Sequence, residues 1–187
     1  MHTLIPPSKQ FGTTLIEILT VLAIITTLSS QLGGFEHLLI RQRITADGLT
    51  LQQLLSLARY NAVRHNDNVV VCPYSNQRCS NNWNNAISVF SDHDGNKQIN
   101  DNDQLLRVWQ SEGRDSDISW NNRRYLSFKA NGMNKNPGTF TLCPKHGEDK
   151  DKQAKMLTIN MGGRSYFQKD HNQDGIVESY NAGPDCE

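Results

Sequence analysis

Gly12-Thr13-Thr14-Leu15-Ile16-Glu17 opens an apolar run that continues to about Leu32. Glu17 is the one carboxylate in a segment otherwise built from Ile, Leu, Val, Ala and small hydroxyl residues. An isolated charge at the edge of hydrocarbon costs on the order of a few kcal/mol, so it needs an assigned partner. The run lies near the N-terminus but not at it, since Lys9 and the Pro6-Pro7 pair come first. An ordinary secretory signal would need a small-x-small cleavage site beyond its apolar core. Ser29-Ser30-Gln31 serves that purpose poorly, and Glu17 would be misplaced. A plain single-pass anchor needs roughly twenty apolar residues; that description fits but leaves Glu17 unexplained. The positive-inside rule does not orient the segment, because Lys9 on one side faces Arg41 and Arg43 on the other.

Beyond such an anchor, 187 residues leave room for one compact domain of ~110–120 residues. Nineteen basic and nineteen acidic side chains cancel. No global field steers the protein toward nucleic acid or an acidic surface, so any such binding must come from a local patch. Past the first third the chain is rich in Asn, Asp, Ser and Gly, which suits a small, loop-rich exported domain with a thin core. All four cysteines, Cys72, Cys79, Cys143 and Cys186, lie beyond the apolar run. A thin-cored domain outside the cytoplasm is where disulfides persist, here a bacterial periplasm or cell surface. Three pairings are open. Preferred is Cys72–Cys79, closing a short loop after a strand, with Cys143–Cys186 tying the tail to the sheet. A zinc site finds no C-x-x-C pair and no His at ligand intervals.

Residues 13 to about 65 read as one helix, on the order of 80 Å long. Leu51, Leu54, Leu55, Ala58 and Ala62 recur at the spacing of a single apolar stripe, with Gln52, Gln53, Arg59 and Arg64 off it. Gly33-Gly34 and Gly48 are expected weak points where the helix bends or unwinds. The first half then belongs in lipid or a filament core, and the second lays its stripe on a sheet. After Asn66-Asp67-Asn68 the period changes. Strands are expected at Val69–Val71 (ended by Cys72-Pro73), Ala86–Phe90, Leu105–Trp109, Tyr125–Lys129, Thr139–Cys143 and Met156–Asn160. Such short spacing argues for antiparallel pairing, in two small sheets or one bent one. The mixed-charge run Lys145–Lys155 reads as a solvated loop.

The opening stretch resembles the type IV pilin signature, in which a leader is cut after glycine and the fifth mature residue is glutamate. On this sequence the cut falls between Gly12 and Thr13, and the fifth mature residue is Glu17; Thr13 departs from the usual Phe or Met. Further along come Leu54–Val63 leading into Val69-Val70-Val71-Cys72-Pro73, then Leu126–Gly132, Gly138-Thr139-Phe140-Thr141-Leu142-Cys143, Gly163-Arg164 and a cysteine one residue from the end. This order resembles the FimT/FimU minor pilins and the related H-type pseudopilins of type II secretion, over nearly the whole chain.

The resemblance implies an α+β type IV pilin fold, with a long N-terminal helix, transmembrane in its first half, packed on a small antiparallel β-sheet domain. Its parts would be a leader (1–12), a transmembrane half-helix (13–35), an amphipathic half-helix (36–65) and a periplasmic β-rich domain (66–187). It implies N-methylation of Thr13, a prepilin peptidase, an inner-membrane assembly platform, and other minor and major pilins as partners. The protein would sit in the inner membrane and then in a surface filament, as a minor pilin helping to start pilus assembly. The alternatives are a pseudopilin of a type II secretion system and a pilus-associated receptor for DNA uptake.

For DNA, the family motif is Gly-Arg-x-Arg. Here it reads Gly163-Arg164-Ser165-Tyr166, without the second arginine. Arg164, Lys169, Arg123 and Arg124 remain as a candidate basic patch, with Tyr166 able to stack on a base. The plainer reading is a strand turn with an exposed Arg164. For calcium, Asp170, Asn172 and Asp174 fall at positions one, three and five of an EF-hand-type loop, with Gly175 at six, Val177 at eight and Ile176 counted in the ligand set. Position twelve is Asn181 rather than Glu, and no flanking helices are evident. The earlier Asp92-His93-Asp94-Gly95-Asn96 has its glycine one place too soon. Both loops read equally as Asp/Asn/Gly turns. No other cofactor is implied. Catalysis is not expected: the histidines are scattered, no nucleophile has its context, and no apolar pocket surrounds paired carboxylates.

Overall fold

The computed structural model describes residues 14–29, 35–75, 78–110, 112–122, 124–179 and 182–186. The chain divides into two compact units, Met1–Glu36 and His37–Glu187.

The first unit contains helix α1, Leu15–Ser29, of which no residue is buried. Its hydroxyls do not reach outward. Thr20, Thr26, Thr27 and Ser29 donate to carbonyls three or four residues earlier, at 2.8–3.1 Å. Each of these hydroxyls is thereby satisfied inside the helix, and at their positions the surroundings need supply only apolar contact. Among the described residues no helix is long and apolar enough to cross a membrane. Gly12, Thr13 and the Gly33-Gly34 pair lie outside the described residues.

Helix α2 (Phe35–His65), which belongs to the second unit from His37 onward, ends where Asn66 takes φ 53°, a left-handed stop that Asn tolerates. The expected stripe is its buried face: Leu51, Leu54, Leu55, Ala58 and Ala62 are all at most 4% exposed, and Ile44 extends the stripe by two turns. The helix runs on through Gly48 without the unwinding that was one of the two outcomes expected there. Gly48 lies inside α2, and a Cβ there would stand 2.9 Å from the Phe167 ring. The glycine serves close approach.

Among the described residues nine strands follow: β1 Val69–Ser75, β2 Arg78–Cys79, β3 Ile87–Ser91, β4 Leu105–Trp109, β5 Ser116–Trp120, β6 Leu126–Phe128, β7 Gly138–Pro144, β8 Lys155–Ile159 and β9 Ser165–Phe167. They form two antiparallel sheets. One has the order β2-β1-β3-β4, with β6 also on β1, and the other is β5-β7-β8-β9. Register in the first sets Val71 opposite Val89 and Leu126; in the second, Phe140 lies opposite Trp120 and Leu157. The α2 stripe packs with Val69, Val71, Val89 and Phe128 of the first sheet and Ile118, Phe140, Leu142 and Leu157 of the second. The other face of β1 is covered as well. Val70, Cys72 and Phe90 form a smaller cluster under Cys79, Ile99 and Tyr125, which is why β1 is apolar without alternation.

Pro73 does not end β1, as the sequence suggested. The strand runs on to Ser75, with Pro73 opposite Ile87. On the edge away from β3, Pro73 falls between the pairing with β6, which stops at Val71, and the pairing with β2, which starts at Tyr74, so it interrupts neither ladder. Strands β2, β5 and β9 were not anticipated. Nor was the short helix α3, Lys150–Gln153, inside the supposed loop Lys145–Lys155, where buried Gln153 donates to the Glu148 carbonyl at 2.8 Å.

Candidate functional site

The disulfides form as preferred. Cys72 joins Cys79 and Cys143 joins Cys186, each with Cα atoms 5.5 Å apart. The first clasps β2 to β1. The second brings the C-terminal tail over the outer face of the β5-β7-β8-β9 sheet. There Ser179 meets the Thr139 hydroxyl at 3.2 Å beside a groove of about 670 Å³ lined by Thr158, Met156 and Tyr166.

Glu17 lies in the first turn of α1 and is exposed. Among the described residues no cationic group pairs with its carboxylate. Its amide donates to the Thr14 carbonyl at 3.0 Å, so the backbone there is satisfied while the charge is not. Leu15, Ile16, Ile18 and Leu19 around it are 49–78% exposed.

The nucleic-acid candidates are spread out. Gly163 (φ 74°) and Arg164 form the β8–β9 turn, in which the Arg164 amide donates to Asn160 Oδ1 at 3.0 Å. Lys169 follows the far end of β9, five residues or ~16 Å along extended chain. Arg124 precedes β6 at the end away from the Gly132 turn, which is the turn touching Gly163. Tyr166 faces the groove under the tail. Arg123 lies outside the described residues. A residue passed over as merely off the helix stripe is Arg59. Its guanidinium wedges between the two turns, so that a Cβ on Gly132 or on Gly163 would fall 3.3 or 3.2 Å from Nε.

Two acidic loops close on themselves. In the later one, one carboxylate oxygen from each of Asp170, Asp174 and Glu178 lies within 4.8 Å of the others. Both Asp170 oxygens accept amides, from Gln173 at 2.6 Å and Gly175 at 2.8 Å. Asn172 donates to Asp174 at 3.0 Å, Ile176 is half-buried, and Asn181 lies outside the described residues. In the earlier loop the same convergence unites Asp92, Asp94 and Asp103, and here Asp92 is 2% exposed. Burial pushes its carboxyl above the usual range, helped by the charges of Asp103 and Asp94 and opposed by the Lys97 amide and ammonium.

A family model, that of the type II transport protein GspH, matches residues 49–163. This chain belongs to the GspH family. The matched span runs from the amphipathic half of α2 to the Gly163 turn, so it takes in the first sheet, β5, β7 and β8 of the second, and the earlier acidic loop. Among solved structures, the type IV minor pilin FimU of Pseudomonas aeruginosa shares 18% identity, covering 78% of this chain and 96% of that one, with a TM-score of 0.52. At that identity the likeness is one of fold, and the fold is that of a type IV pilin. The minor pseudopilin EpsH from the type 2 secretion system of Vibrio cholerae also matches, at 14% identity over 67% of this chain and 95% of that one, with a TM-score of 0.47. No curated protein matches the sequence.

Proposed function

We propose that this GspH-family protein is a minor pilin of a type IV pilus and helps to initiate the filament. The observation that carries the reading is α1: an apolar helix with no buried residue and one unmatched carboxylate, Glu17. Such a surface needs lipid first and other subunits afterwards. Cleavage after Gly12 by a prepilin peptidase would free the Thr13 amine, and methylation would leave it cationic. Glu17 of one subunit then pairs with the amine of its neighbour as the assembly platform draws subunits from the inner membrane. Correct register removes two desolvated charges together, whereas a mismatch strands one of them at ~3–5 kcal/mol. Register and incorporation thus follow from one ion pair.

The test is incorporation. Glu17→Ala and Glu17→Gln should be processed normally, with the mature N-terminus read by mass spectrometry, yet be missing from sheared, purified pili. Normal recovery of Glu17→Ala in the filament overturns the assignment.

The description of the matching family, type II transport, favours a second reading in which the same mechanism builds a secretion pseudopilus. Deletion separates the two. Loss of surface pili and twitching motility supports the first, while retention of exoproteins in the periplasm with pili intact supports the second.

A further inference from the structure

We propose that the groove between the outer face of the second sheet and the C-terminal tail binds a neutral saccharide. Strand register places the groove. Thr141 lies opposite Ser119 on one side and Met156 on the other, and Thr158 lies opposite Thr139 and Tyr166. Along their strands these residues alternate with Ile118, Phe140, Leu142 and Leu157 of the core, so they share the face turned away from it. The tail is fixed to that face at two points, by Ser179 to the Thr139 hydroxyl and by Cys186 to Cys143. Between the strands and Ala182 and Gly183 of the tail it leaves about 670 Å³. That volume falls within the ~300–1,000 Å³ of small-molecule sites.

The lining decides the class of ligand. Among the described residues its one charged group is the Asp185 carboxylate. A nucleic acid or another polyanion would find no cation there to meet its charge. A hydrocarbon would leave the hydroxyls unpaired. A peptide docks along a sheet edge or anchors apolar side chains in pockets, and here the strands are met face-on, with their backbone groups engaged in the ladders. What the groove presents is hydroxyl and carboxamide groups around one aromatic ring. The hydroxyls of Ser119, Thr141 and Tyr166 bond to no described residue, and Asn160 accepts the Arg164 amide with its oxygen while its NH₂ group stays unbonded. Thr139 and Thr158 are buried and bonded to each other at 2.8 Å, which gives the groove a fixed floor. Tyr166, 36% exposed, offers its ring beside them. A sugar ring has the matching build. C–H groups on its faces lie against an aromatic ring, and hydroxyls around its rim both donate and accept. An uncharged sugar also needs no countercharge.

The experiment is isothermal titration of the full chain, in a detergent without a sugar headgroup, with tetramers of glucose, of N-acetylglucosamine and of the anionic galacturonate. Saturable binding of at least one neutral tetramer is expected, and the one preferred names the sugar. Tyr166→Ala should weaken that binding roughly tenfold, and Thr141→Val, which keeps the shape but removes the hydroxyl, roughly fivefold. Tyr166→Phe keeps the ring and should bind more tightly than Tyr166→Ala. Tyr60→Ala, at an exposed site on α2, should bind as wild type does. Melting curves establish that each variant is folded, and Thr141→Val carries the test if Tyr166→Ala is not. No binding of either neutral tetramer by the folded wild-type chain overturns the proposal. So does a preference for galacturonate, or binding that a folded Tyr166→Ala or Thr141→Val leaves unweakened.

Discussion

One carboxylate oxygen of Asp47 accepts both the amide and the hydroxyl of Ser116, at 3.0 and 2.7 Å, and the amide of Asp115 as well, at 3.0 Å. Asp47 stands one residue before the glycine that lets α2 approach Phe167. Ser116 begins β5, the edge strand of the second sheet. The same stretch holds Arg114, whose buried guanidinium donates to the carbonyls of Trp83, Asn84 and Asn85 and lies 4.9 Å over Trp109. Burial lowers the Arg114 pKa and nearby Asp47 raises it, so the two charges support one another across the helix–sheet junction. A helix residue and a strand residue thus fix where β5 begins.

Asp47→Ala should therefore cost ~2–3 kcal/mol, the range for hydrogen bonds to a charged acceptor whose donors are left buried. Asp47→Asn keeps an acceptor oxygen but not the charge, and should fall between the two. Urea unfolding of the three proteins, with unchanged m-values, checks the ordering. Equal stability of Asp47→Ala and wild type would show the junction to be held elsewhere.

How much of this was legible beforehand follows from the physics of each signal. The α2 stripe was readable because five apolar side chains repeat at helical spacing, and β1, β3, β7 and β8 because β-branched and aromatic residues cluster there. Strand β5, Ser116-Asp117-Ile118-Ser119-Trp120, was not. It alternates buried and exposed, but the residue buried beside Ile118 is Ser116, so the apolar half of the pattern is missing. Strand β9 is three residues long, too short to show a period of its own, and its place is given by its register with β8. Pro73 carries a local stop signal that strand order overrides. The acidic loops were visible as composition. What separates them, the burial of Asp92, depends on Ile99 docking in a cluster built from distant strands. No window of sequence contains that information.

The Cys143–Cys186 bridge spans 43 residues, and chain-entropy reasoning assigns such a loop a stabilisation of ~4 kcal/mol. The paired substitution Cys143→Ala with Cys186→Ala should lower stability by about that amount. It should also release the tail from Thr139 and Thr158, which Ser179 and Gln168 now bridge. Limited proteolysis should then cut beyond Phe167 well before it cuts the sheet. Survival of the tail in the double variant would mean that its hydrogen bonds suffice without the disulfide.

Asp92 makes the protein's stability depend on pH in a direction opposite to that of a salt-bridged acid. Its folded pKa is raised above 3.8, first by burial and then by the charges of Asp103 and Asp94. The folded state therefore holds this proton more tightly than the unfolded state, and stability falls as pH rises through the window above 3.8. The penalty is fully present above the folded pKa and gone below 3.8. Asp92→Asn retains an oxygen for the Lys97 amide and removes the charge. It should melt higher than wild type at pH 7, and the gap should close as the pH is lowered toward 4. Parallel melting curves for the two proteins across that range would show that Asp92 does not carry an uncompensated charge.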